Sequence, residues 1–195
     1  MPMATKSRLA AIKHVYQLHV ELDEVQPRVW RRLWIPDMLT MAKLDRIIQS
    51  AMGWTNSHLH EFEIDGKRYG IPDDEEVYDT PTLDDRRHKV GAVLGEAISG
   101  FRYTYDFGDN WRHTVTVEGR LLPDESFNTW PMCLAGQNAC PPEDVGGVGG
   151  YAEFLEAMSN PSHDDHPDMW RWVGGPFDPT GVDVNATNAA LRRLR

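Results

Sequence analysis

Residues 103–113 read Tyr103-Thr104-Tyr105-Asp106-Phe107-Gly108-Asp109-Asn110-Trp111-Arg112-His113, and their reading decides the fold. Aromatic side chains recur at every second position on both sides of a Gly-Asp-Asn turn signal, the pattern of a β-hairpin with one apolar face. With Gly108 to Asn110 as the loop, Phe107 faces Trp111, Tyr105 faces His113, and Tyr103 faces Val115 on one surface. Asp106 then falls opposite Arg112 on the other surface, a favourable pair of opposite charges. Asn110 takes the left-handed position that a three-residue loop requires. A shift of one residue would scatter the aromatics over both faces, and a two-residue turn is the alternative loop.

Working outward, His14 to Leu22 alternates, with Tyr16, Leu18, Val20 and Leu22 on one face of a half-buried strand. A turn near Asp23-Glu24 leads to a second strand, Val29 to Ile35, framed by Pro27 and Pro36. Met41, Leu44, Ile48 and Ala51 repeat at helical spacing between a Thr40 N-cap and a Gly53 stop. His58, His60, Phe62 and Ile64 share one face of a strand that Asp65-Gly66 turns back into Lys67 to Ile71. The stretch 73–89 reads as an acidic surface loop. Val90 to Ala97 reads as a short helix closed by Gly100, and Pro131 to Gly150 as an irregular loop. Helices follow around Tyr151 to Met158, from Pro167 to Gly174, and from an Asn185 cap through Leu191 and Leu194. Strands first and helices last predict an α+β fold. A mostly antiparallel sheet of N-terminal hairpins packs against helices, and the C-terminal third is helical. The expected organisation is one domain over 1–195, with a frayed lead-in over 1–12.

The chain's 195 residues, 41% hydrophobic and 26% charged, suit a single globular domain. No apolar run reaches the roughly 18–20 residues of a membrane span, and no signal core follows the basic start. Cys133 and Cys140 as the two cysteines suit a reducing compartment, so the expected location is cytoplasmic, with no membrane partner. A net charge of -10 works against free-standing nucleic-acid binding. Arg28, Arg31 and Arg32, or Arg192, Arg193 and Arg195, offer local basic patches on what is otherwise a solvated face.

For chemistry, two readings of the central hairpin compete. In one the aromatics are simply core and His113 bonds to Tyr105 or a backbone carbonyl; in the other they line a pocket. His58-Leu59-His60 on a strand points both imidazoles to one face, the spacing by which a strand offers two nitrogens to zinc. His113 would supply a third, and Asp109, Glu143 or Asp144 an oxygen. No motif demands a cofactor, and zinc is the metal such a set would take. The Gly146-Gly147-Val148-Gly149-Gly150 run lacks the lysine of a phosphate loop, and its acidic neighbours Glu143 and Asp144 would repel phosphate.

These motifs carry a resemblance. Pro27 to Arg32, Gly53-Trp54 with His58 to Phe62, and Tyr105 to His113 resemble the plasmid pRiA4b ORF-3-like family. Cys133 with Pro141 to Gly147, and Phe177-Asp178-Pro179 with Asn188 and Leu191, extend the match. The family is also labelled an insertion-element passenger, TnpR-like family. The resemblance implies an α+β fold and an association with mobile elements, but no settled activity. Serine recombination is not supported, because Ser7-Arg8 sits in the short lead-in. The leading expectation is a binding or accessory module for a small molecule or protein segment. Its site gathers Trp54, His58, His60, Tyr105, Trp111 and His113 with Asp109, Glu143 and Asp144. The alternatives are a metal-dependent hydrolase using His58, His60 and His113 with Glu143 as general base, and a mobile-element accessory protein that contacts DNA.

Overall fold

The computed structural model describes residues 12–73, 81–123 and 131–194. The strands are β1 Val15–Leu22, β2 Trp30–Pro36, β3 His60–Ile64, β4 Lys67–Gly70, β5 Leu83–Asp84, β6 Gly100–Tyr105, β7 Trp111–Leu121 and β8 Met132–Gln137. The helices are α1 Met41–Met52, α2 Val90–Leu94, α3 Gly147–Ser159, α4 His166–Val173 and α5 Val184–Arg193, with a 3-10 turn at Asp85–Arg87. The strands form one sheet in the order β5-β4-β3-β6-β7-β1-β2-β8, antiparallel except for the β4–β5 pair. This is the expected α+β architecture.

Local signals place the elements. The Thr40 side chain accepts from Lys43 N at the start of α1, and Gly53 ends it at φ 109. Between these caps, Met41, Leu44, Ile47, Ile48 and Ala51 are buried. Burying a Leu, Ile or Met of this kind stabilises the fold by about 1.5–3 kcal/mol. They join Leu18, Val20, Leu33, Phe62, Tyr103, Tyr105 and Trp111 from the sheet in one core. Asp65-Gly66 forms the β3–β4 turn, with Ile64 opposite Lys67. Asn188 on α5 accepts from Cys133 N and donates to Cys133 O, so a side-chain amide covers the outer edge of β8.

Several expectations need correction. The central hairpin pairs Tyr105 with Trp111, Tyr103 with His113 and Phe101 with Val115, a slip of two residues. Its loop is five residues long, Asp106 to Asn110, with Asp106 and Asn110 both left-handed. Because side chains alternate with a period of two, the slip keeps the aromatic face but breaks the Asp106–Arg112 pair. Asp106 is buried, Phe107 is exposed, and Arg112 lies against Glu24 instead.

Ile12, inside the expected lead-in, is buried with Val15; residues 1–11 lie outside the described residues. The stretch 73–89 holds β5, the 3-10 turn and a buried Asp85, while residues 74–80 lie outside the described residues. Gly100 starts β6 rather than closing a helix. The supposed loop Pro131 to Gly150 contains β8 and the start of α3. Asp183, not Asn185, caps α5, accepting from Asn185 N and Ala186 N.

Candidate functional site

Gly53 turns the chain out of α1 and lays Trp54 over the central hairpin. The indole stacks on Tyr105 at 4.7 Å, lies 6.2 Å from Trp111, and meets the edge of His113 at 5.5 Å. Its Nε1 donates to Pro141 O at 3.0 Å, which ties this layer to the segment carrying Glu143 and Asp144. Glu143 Oε1 accepts from Thr55 N at 2.8 Å and from Thr55 Oγ1 at 3.1 Å. The Tyr105 hydroxyl donates to Glu143 at 3.0 Å and accepts from Ser57 N at 3.1 Å. Burial raises the Tyr105 phenol pKa, and the Glu143 carboxylate raises it further, so the hydroxyl keeps its proton as donor.

At the rim of this bracket stands His58. Its Nε2 lies 3.0 Å from Asp144 Oδ1, 3.6 Å from Asp106 Oδ2 and 4.0 Å from Glu143 Oε2. Although that nitrogen is buried, it forms no hydrogen bond among the described residues: Asp144 Oδ1 is near enough but off the N–H direction, and the other two oxygens are too far. Left-handed backbone at Asp106 (φ 55) and Asp144 (φ 59) presents both carboxylates from tight turns. The Asp106 Oδ1 atom accepts from Gly108 N at 2.9 Å, which leaves Oδ2 to face the imidazole. Ligand atoms of His58, Asp106 and Asp144 all lie within 4.8 Å of one another, the one such trio among the described residues.

The sequence-predicted residues therefore separate into groups. Trp54, His58, Tyr105, Glu143 and Asp144 come together, and Asp106 joins them. Trp111 and His113 form the floor beneath Trp54. Asp109 is a joint rather than a ligand: its Oδ2 accepts from Gly146 N at 3.0 Å. His60 is turned away, its Nδ1 3.2 Å from Asp45 and its Nε2 2.8 Å from Asp85. The His113 Nδ1 faces Tyr103 O at 3.3 Å, and burial lowers that imidazole's pKa to about 4. The three histidines thus serve three different places. His58 precedes β3, so the period-two argument that paired it with His60 does not apply.

At the joint, Gly147 has φ +69, and a Cβ there would lie 2.7 Å from Asp109 O. Gly147→Ala is expected to destabilise the protein by about 1–2 kcal/mol, the penalty for a left-handed L-residue, with any crowding added. Urea unfolding of the variant measures it, and an unchanged midpoint would refute the joint. Of the two arginine patches, that of Arg28, Arg31 and Arg32 has its charges engaged or buried. Arg28 pairs with Glu21 at 2.7 Å and Arg32 with Glu118 at 2.6 Å, while Arg31 is buried.

The model of the family described as Plasmid pRiA4b ORF-3-like protein matches residues 14–186, from β1 to the first turn of α5. The chain belongs to that family. A relative in Sinorhizobium fredii, named uncharacterized protein y4hQ, is 39% identical over 184 residues, covering 94% of this chain and 93% of the relative. A crystal structure of a protein of unknown function, MM3350 from Methanosarcina mazei Go1, superposes with a TM-score of 0.80 at 34% identity. That match covers 89% of this chain and 97% of the other. The same fold is thus seen in the Methanosarcina mazei structure. Among the described residues of this chain, no helix is long and apolar enough to cross a membrane.

Proposed function

We propose that the protein is a binding module that holds a divalent transition-metal ion between His58, Asp106 and Asp144, beside the Trp54–Tyr105 stack. One observation carries this reading: the buried His58 Nε2 has carboxylate oxygens at 3.0 and 3.6 Å yet makes a hydrogen bond to neither. A proton must lie near the line between donor and acceptor, whereas a metal lies off it. Two ligands about 2.0–2.1 Å from a tetrahedral ion stand about 3.3 Å apart, which the two observed separations bracket. One imidazole with two carboxylates suits zinc or manganese more than a soft-metal site.

Binding is favoured over hydrolysis because Glu143, the candidate general base, already accepts from Thr55 N, Thr55 Oγ1 and the Tyr105 hydroxyl. All three donors converge on its Oε1, so Glu143 is built into the hydrogen bonding of the bracket. Calorimetric titration of metal-stripped protein with zinc and with manganese is the test. Wild type is expected to bind one ion, and His58→Ala and Asp144→Asn each to weaken binding at least tenfold while the melting midpoint without metal stays close to wild type. No binding by wild type, or equal binding by His58→Ala, would sink the proposal.

A further inference from the structure

A second feature lies on the far side of the Trp54–Glu143 wall. Arg31 on β2 is 3% exposed. Its Nε donates to Ala51 O at 2.9 Å, and its Nη1 donates to Trp30 O at 2.8 Å and to Gln137 O at 3.1 Å. Gly136 makes room for the side chain, since a Cβ there would stand 2.7 Å from Arg31 Cδ. These contacts hold the guanidinium firmly, but Nη2 has no hydrogen-bond partner among the described residues. No described carboxylate is within ion-pairing distance of it either.

Buried charges are ordinarily paired, because an isolated ion in a low-dielectric interior is unfavourable. The end of α1, where Ala51 lies, supplies about half a negative charge and offsets only part of the guanidinium. The nearby thiols add nothing: burial pushes Cys133 and Cys140 up, so both stay neutral. The same arginine lines an open cavity of about 530 Å³, walled by Met52, Trp54, Pro141, Phe177 and Ala190. That volume lies within the roughly 300–1,000 Å³ of small-molecule sites, and the walls are largely apolar, with Arg31 the one cation beside the carboxylates of Glu143 and Asp183.

We propose that this cavity binds a small organic monocarboxylate, its head on Arg31 and its apolar body along the Trp54–Phe177 wall. A single charge is selected because Glu143 and Asp183 also line the cavity and repel a dianion such as phosphate. The proposal is independent of the cation site, and its test is run in EDTA to keep that site silent.

Octanoate, octanamide and inorganic phosphate are titrated into the full chain by two-dimensional NMR. Octanoate is expected to bind with shifts at Arg31 and Trp54, octanamide at least tenfold more weakly, and phosphate more weakly than octanoate. Arg31→Gln should lose the preference for acid over amide. Because that variant risks misfolding, Ala190→Leu fills the cavity from α5 without touching Arg31 and should weaken octanoate at least tenfold. Absence of octanoate binding, equal affinity for acid and amide, tighter phosphate, or undiminished binding by Ala190→Leu would each overturn the assignment.

Discussion

Replacing His60 by alanine is expected to destabilise the fold by about 3–5 kcal/mol, the range for removing one partner of a buried ionic group. Asp45 and Asp85, at 2% and 1% exposure, face the two nitrogens of this ring. Asp45 Oδ1 also accepts from Gln49 Nε2 at 2.8 Å and from the Tyr103 hydroxyl at 2.7 Å. Burial raises the Asp45 carboxyl pKa, and His60, Gln49 and Tyr103 partly offset it. Without the imidazole, two buried carboxyl groups lose the ring nitrogens that face them. Guanidinium unfolding of His60→Ala measures the loss. Asp45→Asn added to that variant should recover part of it, since residues in one network are non-additive. A loss below about 1 kcal/mol would show that the imidazole is not what balances these acids.

The second large effect depends on pH. His113 has an ordinary pKa of 6.5 in the unfolded chain and, through burial, about 4 in the fold. Below pH 6.5 the unfolded chain takes a proton that the folded chain refuses, so stability is lost as pH falls. The loss from this residue is about 1.4 kcal/mol per pH unit between the two values, or roughly 2–3 kcal/mol from pH 7 to pH 4.5. His113→Gln carries no titrating group there. Its urea stability should therefore fall less than wild type's over that interval, by roughly that amount. Parallel falls in the two proteins would contradict the buried neutral imidazole.

Much of the fold was legible where one local signal acted alone. Thr40 and Gly53 bounded α1, and Asp65-Gly66 set the β3–β4 turn, because each depends on a few neighbouring backbone groups. Register was different. A two-residue slip preserves the face of every side chain, so alternation found the buried aromatics but not the five-residue loop. β8 was hidden because Gly136 and the flanking prolines look like loop, whereas Gly136 is needed to clear the Arg31 side chain.

At the candidate site, Trp54, His58, Tyr105, Glu143 and Asp144 were named from the sequence. Asp106 is expected on the opposite, solvent face as a strand residue, whereas it opens the loop with left-handed backbone and turns inward. Nothing in the sequence singled out Asp45 as a site residue, and Asp85 falls in the stretch expected to be an acidic surface loop. Their burial comes from the approach of β3, which no local pattern encodes. The one available hint was a polar Asp45 one position from the apolar stripe of α1.

The strand order also sets a timetable. β1 lies between β7 and β2, so Leu18 pairs with Val117, roughly a hundred residues further along the chain. At about 5–20 residues per second, a ribosome needs roughly 5–20 s to deliver the partner after the first hairpin has emerged. Through that interval the hairpin carries two unpaired edges, each able to template the wrong strand. The sheet closes only when β7 and β8 arrive, so a nascent chain halted before them has its hydrophobic centre half assembled and is a substrate for aggregation or chaperone capture.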